Sequence, residues 1–301
     1  MLPAQHHALG RYNHTRLDPG LPNDAWRDDI AREASFLLQE GAFVEEERAK
    51  VKSLAAEAPL SSTEFTAWFE ALEHNGPGQH DPLFPWLATE ARLDQLKWFL
   101  RQEVGGEAGF EDLVAMTQLK LGVRAKMELA KNYWDEMGRG TPTGMHGPML
   151  ARLASGMRLD EGATEPVVWE SVALGNLMIA LAANRRYAYH SIGALGVIEL
   201  TAPGRAKLVN EALRRHEVAP QLRQYFALHS TLDLKHSASW NQEVIAPLVA
   251  REPMAARAIA EGALMRLEAG RRCYARYRQV LGVDAVVAQP QVHRLFASAG
   301  A

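Results

Sequence analysis

A helical period runs through almost every segment of this sequence, and no strong run of alternating polar and apolar residues indicates a β-sheet. Four prolines, Pro166, Pro203, Pro220 and Pro253, lie near predicted helix starts, where the missing N–H is tolerated. The chain has 301 residues and an apolar content of 47%, which is enough for a substantial core. These features predict an all-α protein whose helices pack as a bundle.

The chain divides at a cluster of helix breakers, 75–82, with the sequence NGPGQHDP. Residues 1–22 carry Gly and Pro without periodicity, which predicts an irregular arm. We therefore expect an N-terminal arm and helical extension at 1–80 and a helical bundle with the functional site at 81–301. The predicted helices are 24–40, 45–58 and 61–74, then 86–104, 110–121, 123–137, 145–157, 166–184, 186–201, 204–216, 219–248 and 253–281.

Composition excludes several classes of protein. The net charge of -3 gives no electrostatic reason to expect nucleic acid or a membrane surface as a partner. No apolar leader follows Met1, and the most apolar segment, 167–183, is too short and too polar to span a bilayer. Because Cys273 is the single cysteine, the chain has no intrachain disulfide or cysteine-rich metal site, and a reducing compartment is indicated. We expect a cytoplasmic protein. A homodimer is the commonest assembly of such proteins and is expected on that ground alone.

The strongest functional signal is the run His229-x3-Asp233-x2-His236. On a helix these three side chains point the same way, one turn above the next, and their neighbours are mainly apolar or small. Burial of such a row requires a partner, and a metal ion suits it. Imidazole and carboxylate without thiolate favour iron, manganese or zinc. The alternative is a packed face in which Asp233 pairs with Lys235 or with an arginine.

Glu103 is a second candidate ligand, because it lies four residues after Phe99 and can share a buried face with it. Glu107 could serve instead, although Gly105 and Gly106 favour a break in the helix between the two acids. The alternative for either residue is a solvated acid at a helix end.

Glu136 and His146 lie ten residues apart across the glycine-rich break 138–144, so the two groups could meet at one point. Asp135 is a competing acid and Glu128 a weaker one. Spacing alone also allows a surface acid and an unrelated loop histidine.

Glu199 follows eight uncharged residues, and an acid in such a run usually has a partner. It could instead form a cap or an ion pair at a helix end just before Pro203.

Residues 85–285 resemble the haem-oxygenase-like diiron oxidases, also described as iron-containing redox enzymes. The resemblance depends on the order of the candidate ligands, which are Glu103, Glu136, His146, Glu199, His229, Asp233 and His236. It implies a haem-oxygenase-like (TenA-like) helical bundle that binds two irons and uses dioxygen and an external reductant. The implied substrate is a small organic molecule, such as an amino acid, a fatty acid or a derivative. Residues 1–80 lie outside the resemblance.

The resemblance also implies how the ligands are shared. We expect Glu136 to bridge the two irons. Glu103, His146 and His236 would belong mainly to one iron, and Glu199, His229 and Asp233 mainly to the other. The residues that we expect to line a substrate pocket are Trp98, Phe99, Tyr133, Trp134, Met149 and Tyr189.

Two other functions compete with a diiron oxidase. A metal-free hydrolase similar to the thiaminase-like TenA proteins needs a nucleophilic cysteine in the bundle core, and Cys273, in an arginine-rich helix, is poorly placed for that role. A non-catalytic helical binding protein would use its charged helices at 24–58 as an interaction surface. Haem oxygenase activity is disfavoured, because His74 and His80 flank or lie in the breaker region rather than in an early helix of the main body.

Overall fold

The computed structural model describes residues 1–283, which are predominantly helical and contain no β-strand. The predicted all-α class is therefore confirmed. The helices are α1 (Pro3–Leu17), α2 (Trp26–Ala55), α3 (Ser62–Asn75), α4 (Leu83–Thr89), α5 (Leu93–Gly106), α6 (Phe110–Thr117), α7 (Val123–Glu136), α8 (His146–Met157), α9 (Trp169–Ala183), α10 (Ala188–Arg215), α11 (Gln224–Ser239), α12 (Ala246–Arg251) and α13 (Ala255–Leu281). Short 3-10 turns lie at Gly138–Gly140, Pro142–Gly144 and Arg185–Tyr187, and a π-helical segment lies at Trp240–Ile245.

Helices α10 and α13 form the central packed pair of the bundle. A Cβ atom on Gly193 of α10 would overlap the carbonyl oxygen of Ile259, and one on Gly262 of α13 would overlap the carbonyl oxygen of His190. The two backbones approach this closely because neither glycine carries a side chain. This crossing fixes the position of α10, which contributes an acid to the site described below.

The N-terminal arm is helical, contrary to the prediction of an irregular segment. Pro3 stands at the start of α1, where its fixed φ favours a helix. The helix buries His6, Leu9 and Asn13, and it packs against α9. Since α1 is weakly amphipathic, tertiary packing supplies the stability that its sequence pattern does not indicate.

Several predicted helix boundaries were also wrong. The helices predicted at 24–40 and 45–58 are one helix, α2, and the one predicted at 86–104 is divided into α4 and α5. Helix α10 continues through Pro203, where a break was predicted. A proline inside a helix removes the amide that would bond to the carbonyl four residues earlier, which here is the carbonyl of Glu199.

The first three helices pack on the rest of the bundle. Helix α2 contacts α9 and α13, and α3 contacts α10 and α12. Phe43 and Phe69 belong to the same buried cluster as Leu177 and Ile259. The division at residue 80 stays a prediction, and residues 284–301 of the predicted second domain lie outside the described residues. Within residues 1–283, no helix is long and apolar enough to cross a membrane.

Candidate metal centre

The seven candidate ligands are carried by five helices that surround one internal region. Glu103 lies on α5, Glu136 ends α7, His146 begins α8 and Glu199 lies in the middle of α10, while α11 carries His229, Asp233 and His236.

Glu136, Glu199 and His236 come closest to a ready metal site. One donor atom from each side chain lies within 4.8 Å of the others, and all three residues are buried. Nδ1 of His236 is 3.4 Å from Oε2 of Glu199 and 3.7 Å from Oε1 of Glu136. The three side chains could hold one ion together, whereas the expected partition, which stays a prediction, places Glu199 and His236 on different irons.

His146 lies against Glu136, with its Nδ1 atom in contact with the carboxylate. Both residues are buried, and the other ring nitrogen of His146, Nε2, has no hydrogen-bond partner among the described residues. The glycine-rich loop makes this approach possible. Gly138 has φ +60, and a Cβ there would overlap the backbone of Gly144, so the loop closes tightly before α8 begins.

His229 and Asp233 form a pair one helical turn apart. Nδ1 of His229 is 3.1 and 3.0 Å from the two carboxylate oxygens of Asp233, so the imidazole is oriented with its Nε2 atom away from Asp233. That Nε2 atom is buried without a hydrogen-bond partner among the described residues. The rings of His229 and His146 are 4.5 Å apart, which brings this pair to the Glu136 cluster.

Glu103 lines the same cavity as the cluster but has different neighbours. Burial raises the pKa of Glu103, and the positive charges of Arg266 and Arg205 oppose that shift. Glu107 lies just after α5 and is exposed, although it also borders the cavity.

Glu111, in the first turn of α6, is a cavity residue that the sequence analysis missed. Burial raises its pKa, and its negative charge helps to raise the pKa of Glu136. Oε1 of Glu111 is 3.0 Å from the point where a Cβ on Gly147 would lie, beside His146. The available signal was weak, because an acid in the first turn of a helix is ordinarily a partner of the helix dipole.

The carboxylates are crowded and poorly solvated. Burial, followed by the negative charges of Glu199 and Asp233, raises the pKa of Glu136 well above its usual value. Burial also raises the pKa of Glu199. Several buried acids in one place repel each other unless a positive charge lies between them.

The imidazoles differ in their surroundings. Burial, together with the positive charges of His229 and His236, lowers the pKa of His146 to about 3. Burial opposes protonation of His236 as well, but the carboxylates of Glu199 and Asp135 raise its pKa to about 9. A neutral buried imidazole with a free ring nitrogen, such as Nε2 of His146, is a typical metal ligand.

An outer layer of polar residues orients the cluster. Nδ2 of Asn132 donates to Oε1 of Glu199 over 2.6 Å. Asp135, the competing acid of the sequence analysis, accepts a bond of 3.2 Å from Nε2 of His236 and one of 2.7 Å from Arg139. It therefore lies on the outer side of His236, where a carboxylate typically fixes the orientation of a metal-bound imidazole.

A cavity of about 190 Å³ adjoins the cluster. Six candidate ligands border it, His236 being the exception. None of the six aromatic and methionine residues expected in its wall borders it, so that prediction was wrong. Trp98 and Phe99, for example, pack edge-on against Tyr277. The aromatic wall is formed instead by Phe84, Phe110, Tyr225, Phe226 and Tyr277.

Cys273 does not have the properties of a nucleophile. The thiol is buried and lies outside the cavity wall. Burial, followed by the negative charge of Glu103, raises its pKa to about 12. A thiolate is therefore disfavoured at neutral pH, which weighs against a cysteine-dependent hydrolase.

Comparison with known proteins identifies the family. The sequence profile of the family described as iron-containing redox enzymes matches residues 97–271, more than half of the chain and a span that includes all seven candidate ligands. A search of curated proteins finds no match. The fold is similar to the crystal structure of a CADD-like protein of unknown function from Nostoc punctiforme PCC 73102, with 19% identity, a TM-score of 0.52, and coverage of 81% of this chain and 99% of that one. The chain belongs to the haem-oxygenase-like family of iron-containing redox enzymes.

Proposed function

We propose that this protein is a non-haem diiron oxidase or oxygenase that uses dioxygen to oxidise a small organic substrate, resembling an amino acid or a fatty acid. The observation that carries the proposal is the convergence of Glu136, Glu199 and His236 in the buried core of a chain that belongs to an iron-containing family.

The chemistry of the donor set fits iron. The Nε2 atoms of His146 and His229 are buried and have no hydrogen-bond partner among the described residues. Unpaired buried polar atoms are costly, and coordination of a cation would remove that cost. Carboxylate and imidazole without thiolate is a ligand set suited to non-haem iron.

Six residues would hold the metal ions. These are Glu136, His146, Glu199, His229, Asp233 and His236. A third glutamate, from α5 or α6, would complete the ligand set. Glu103 of α5 is the predicted residue. Glu111 of α6 is the other candidate, because its negative charge contributes to the raised pKa of Glu136. Two irons held by these residues would supply the electrons and open coordination positions needed to activate dioxygen.

The chain's own residues would prepare the site for that chemistry. Asn132 and Asp135 hold Glu199 and His236 in fixed orientations. Leu113, Leu150 and Leu174 form part of an apolar wall that excludes water around the substrate. The electron donor would be external.

Iron analysis tests the proposal. The purified protein would be loaded anaerobically with ferrous iron, desalted and assayed, and we expect about two irons per chain, as in two-metal sites. Protein without bound iron would contradict the proposal.

Ligand substitution makes the test specific. His236→Ala removes a donor and should lower iron binding strongly, whereas His74→Ala changes an exposed histidine outside the bundle core and should not. Equal iron content in His236→Ala and in the unaltered protein would reject His236 as a ligand.

A further inference from the structure

Two arginines in the cavity wall have no acidic partner. Arg205 of α10 and Arg266 of α13 both border the cavity. Within residues 1–283, neither guanidinium forms a hydrogen bond or an ion pair with the protein, and Nε of Arg266 is buried without a partner. Arginine cannot shed its charge in a protein, and both groups are half-buried, so each guanidinium is available to an acceptor in the cavity.

Other partly buried arginines of this bundle are paired. Arg272 lies 2.9 Å from Glu47, and Arg16 lies 2.6 Å from Glu40. Arginines that stabilise the core therefore bond either to acids, as these two do, or to backbone carbonyls, as Arg257 does to Ala55 over 2.8 Å. Arg205 and Arg266 differ from these structural arginines, and the difference coincides with their position at the cavity.

Tyr274 and Gly270 lie beside the two guanidinium groups. Arg205 lies 5.9 Å from the ring centre of Tyr274. A Cβ on Gly270 would lie 2.8 Å from Nη1 of Arg266 and 3.4 Å from the hydroxyl of Tyr274. Gly270 therefore leaves room for Arg266, and both arginines lie beside one tyrosine.

Burial raises the pKa of Glu103, and the positive charges of both arginines oppose that rise. Glu103 nevertheless lies beyond ion-pair distance of either arginine. Glu107 also borders the cavity, but neither it nor Glu103 forms an ion pair with Arg205 or Arg266 among the described residues. The two guanidinium groups would therefore accept an anionic group of a ligand. Guanidinium groups match a carboxylate in geometry and can bind it through two hydrogen bonds.

The distance to the metal centre limits the shape of the ligand. Arg205 follows Glu199 by six residues on α10, which is roughly 9 Å along the helix axis. Ala202 lies between them in the cavity wall, and the flanking residues Ile198 and Ala206 are also apolar. A molecule that spans this region would have an anionic end, an aliphatic body and a reacting end near Glu199.

We propose that Arg205 and Arg266 bind the carboxylate of the substrate, which is an aliphatic carboxylic acid oxidised at a carbon several bonds from that carboxylate. The reaction at that carbon rests on the proposed function, whereas the binding of the carboxylate does not. An α-amino acid and a plain fatty acid share this chemistry, and Glu103 would distinguish them by pairing with an ammonium group.

Calorimetric titration with octanoate, its neutral analogue octanamide and 2-aminooctanoate tests the carboxylate site. We expect saturable binding of octanoate and at least about tenfold weaker binding of octanamide, since a charge-assisted bond is lost. Arg205→Met and Arg266→Met should each weaken octanoate binding about tenfold or more without changing octanamide binding. Arg266→Lys keeps the positive charge but not the planar guanidinium, so its affinity for octanoate should lie between those of the unaltered protein and Arg266→Met.

Arg214→Met is the matched control, because Arg214 is an exposed arginine on the same helix. It should bind octanoate as the unaltered protein does. Circular dichroism melting would verify that each variant is folded. Equal affinity for octanoate and octanamide, unchanged affinity in both cavity variants, or no saturable binding of any acid would overturn the inference.

Binding of 2-aminooctanoate shows whether the carboxylate belongs to an amino acid or to a fatty acid. Tighter binding of 2-aminooctanoate, lost in Glu103→Gln, would identify an amino acid, and the reverse order would identify a fatty acid; both support the site. Titrations would be run with and without iron, and the iron content of each protein would be measured. Absence of iron from all of them would reject the proposed function, while the titrations would still decide the carboxylate site.

Discussion

The imidazole of His146 contacts the carboxylate of Glu136, although ten residues separate them along the chain. Glu136 ends α7 and His146 begins α8, with two 3-10 turns between them. Both side chains are 3% exposed or less. The position of His146 therefore depends on the conformation of the connecting loop as well as on the packing of α8.

The loop prediction concerns Gly138. Gly138→Ala would place a side chain on a residue with φ +60 and against the backbone of Gly144. The left-handed backbone alone costs roughly 1–2 kcal/mol, and the overlap forces a shift of the loop. We expect lower iron content and a lower melting temperature.

Gly162→Ala provides the control for backbone strain. Gly162 has φ +74 but no atom within 4 Å of its would-be Cβ. It should reduce stability slightly and leave iron content unchanged. If Gly138→Ala bound as much iron as Gly162→Ala, the loop would not be what positions His146.

The second prediction concerns Asp135, which accepts a hydrogen bond from His236 on the side away from Glu199. Asp135→Ala should lower iron affinity by roughly 10- to 100-fold, because an outer carboxylate fixes the orientation of a metal-bound imidazole. Competition with a chelator measures this change. Glu128→Ala, which removes an ion pair between a half-buried glutamate and the exposed Lys131 on the same helix, should not change iron affinity. An equal response of the two variants would contradict the role of Asp135.

The sequence was most informative where the helix itself sets the geometry. His229, Asp233 and His236 share a face because of their spacing, and the structure places His229 and Asp233 within hydrogen-bond distance. The loop between Glu136 and His146 is different. No local rule predicts its closure, since the closure depends on a tight approach of Gly138 to Gly144.

Tertiary packing explains most of the other errors. The arm at 1–22 has little helical periodicity, but α1 is stabilised by burial against α9. Pro203 predicts a break because its missing amide weakens a helix, yet packing of α10 against α13 keeps the helix continuous. Glu111 was missed for a related reason: only the fold shows that this first-turn acid borders the cavity.

The third prediction tests the crossing of α10 and α13. Gly262→Ala would drive a methyl group into the backbone of His190, where no flexible side chain can yield. Overpacking of a core typically costs about 1–3 kcal/mol, and a backbone overlap belongs at the upper end. Gly204→Ala, on the exposed side of α10 with nothing within 4 Å, should instead stabilise by roughly 0.5–1 kcal/mol. Urea unfolding of both variants measures the two effects, and equal free energies of unfolding would refute the close approach.

The fourth prediction concerns pH and His6, which packs between Phe43 and Trp169. Burial is the main cause that lowers the pKa of His6 from 6.5 to about 4. The unfolded chain therefore binds the proton more readily, and stability is lost as the pH falls from 6.5 toward 4. We expect His6→Leu to lose less stability than the unaltered protein between pH 7 and pH 5 in urea unfolding. His74→Leu, an exposed substitution, should keep the original dependence. If the pH dependence of the free energy of unfolding were unchanged in His6→Leu, His6 would not contribute to it.

The last prediction separates the acids that could complete the metal centre. Burial, followed by the negative charges of Glu199, Asp233 and Glu111, raises the pKa of Glu136. Burial also raises the pKa of Glu103, where the positive charges of Arg266 and Arg205 oppose the shift. Removal of one ligand charge from a metal site weakens binding, so Glu111→Gln should lower iron affinity or occupancy. Glu103→Gln should leave iron binding nearly unchanged and alter the binding of 2-aminooctanoate instead. Iron titration and calorimetry on the same two variants distinguish these roles. Loss of iron in Glu103→Gln alone would restore Glu103 as the ligand and would remove it from the substrate site.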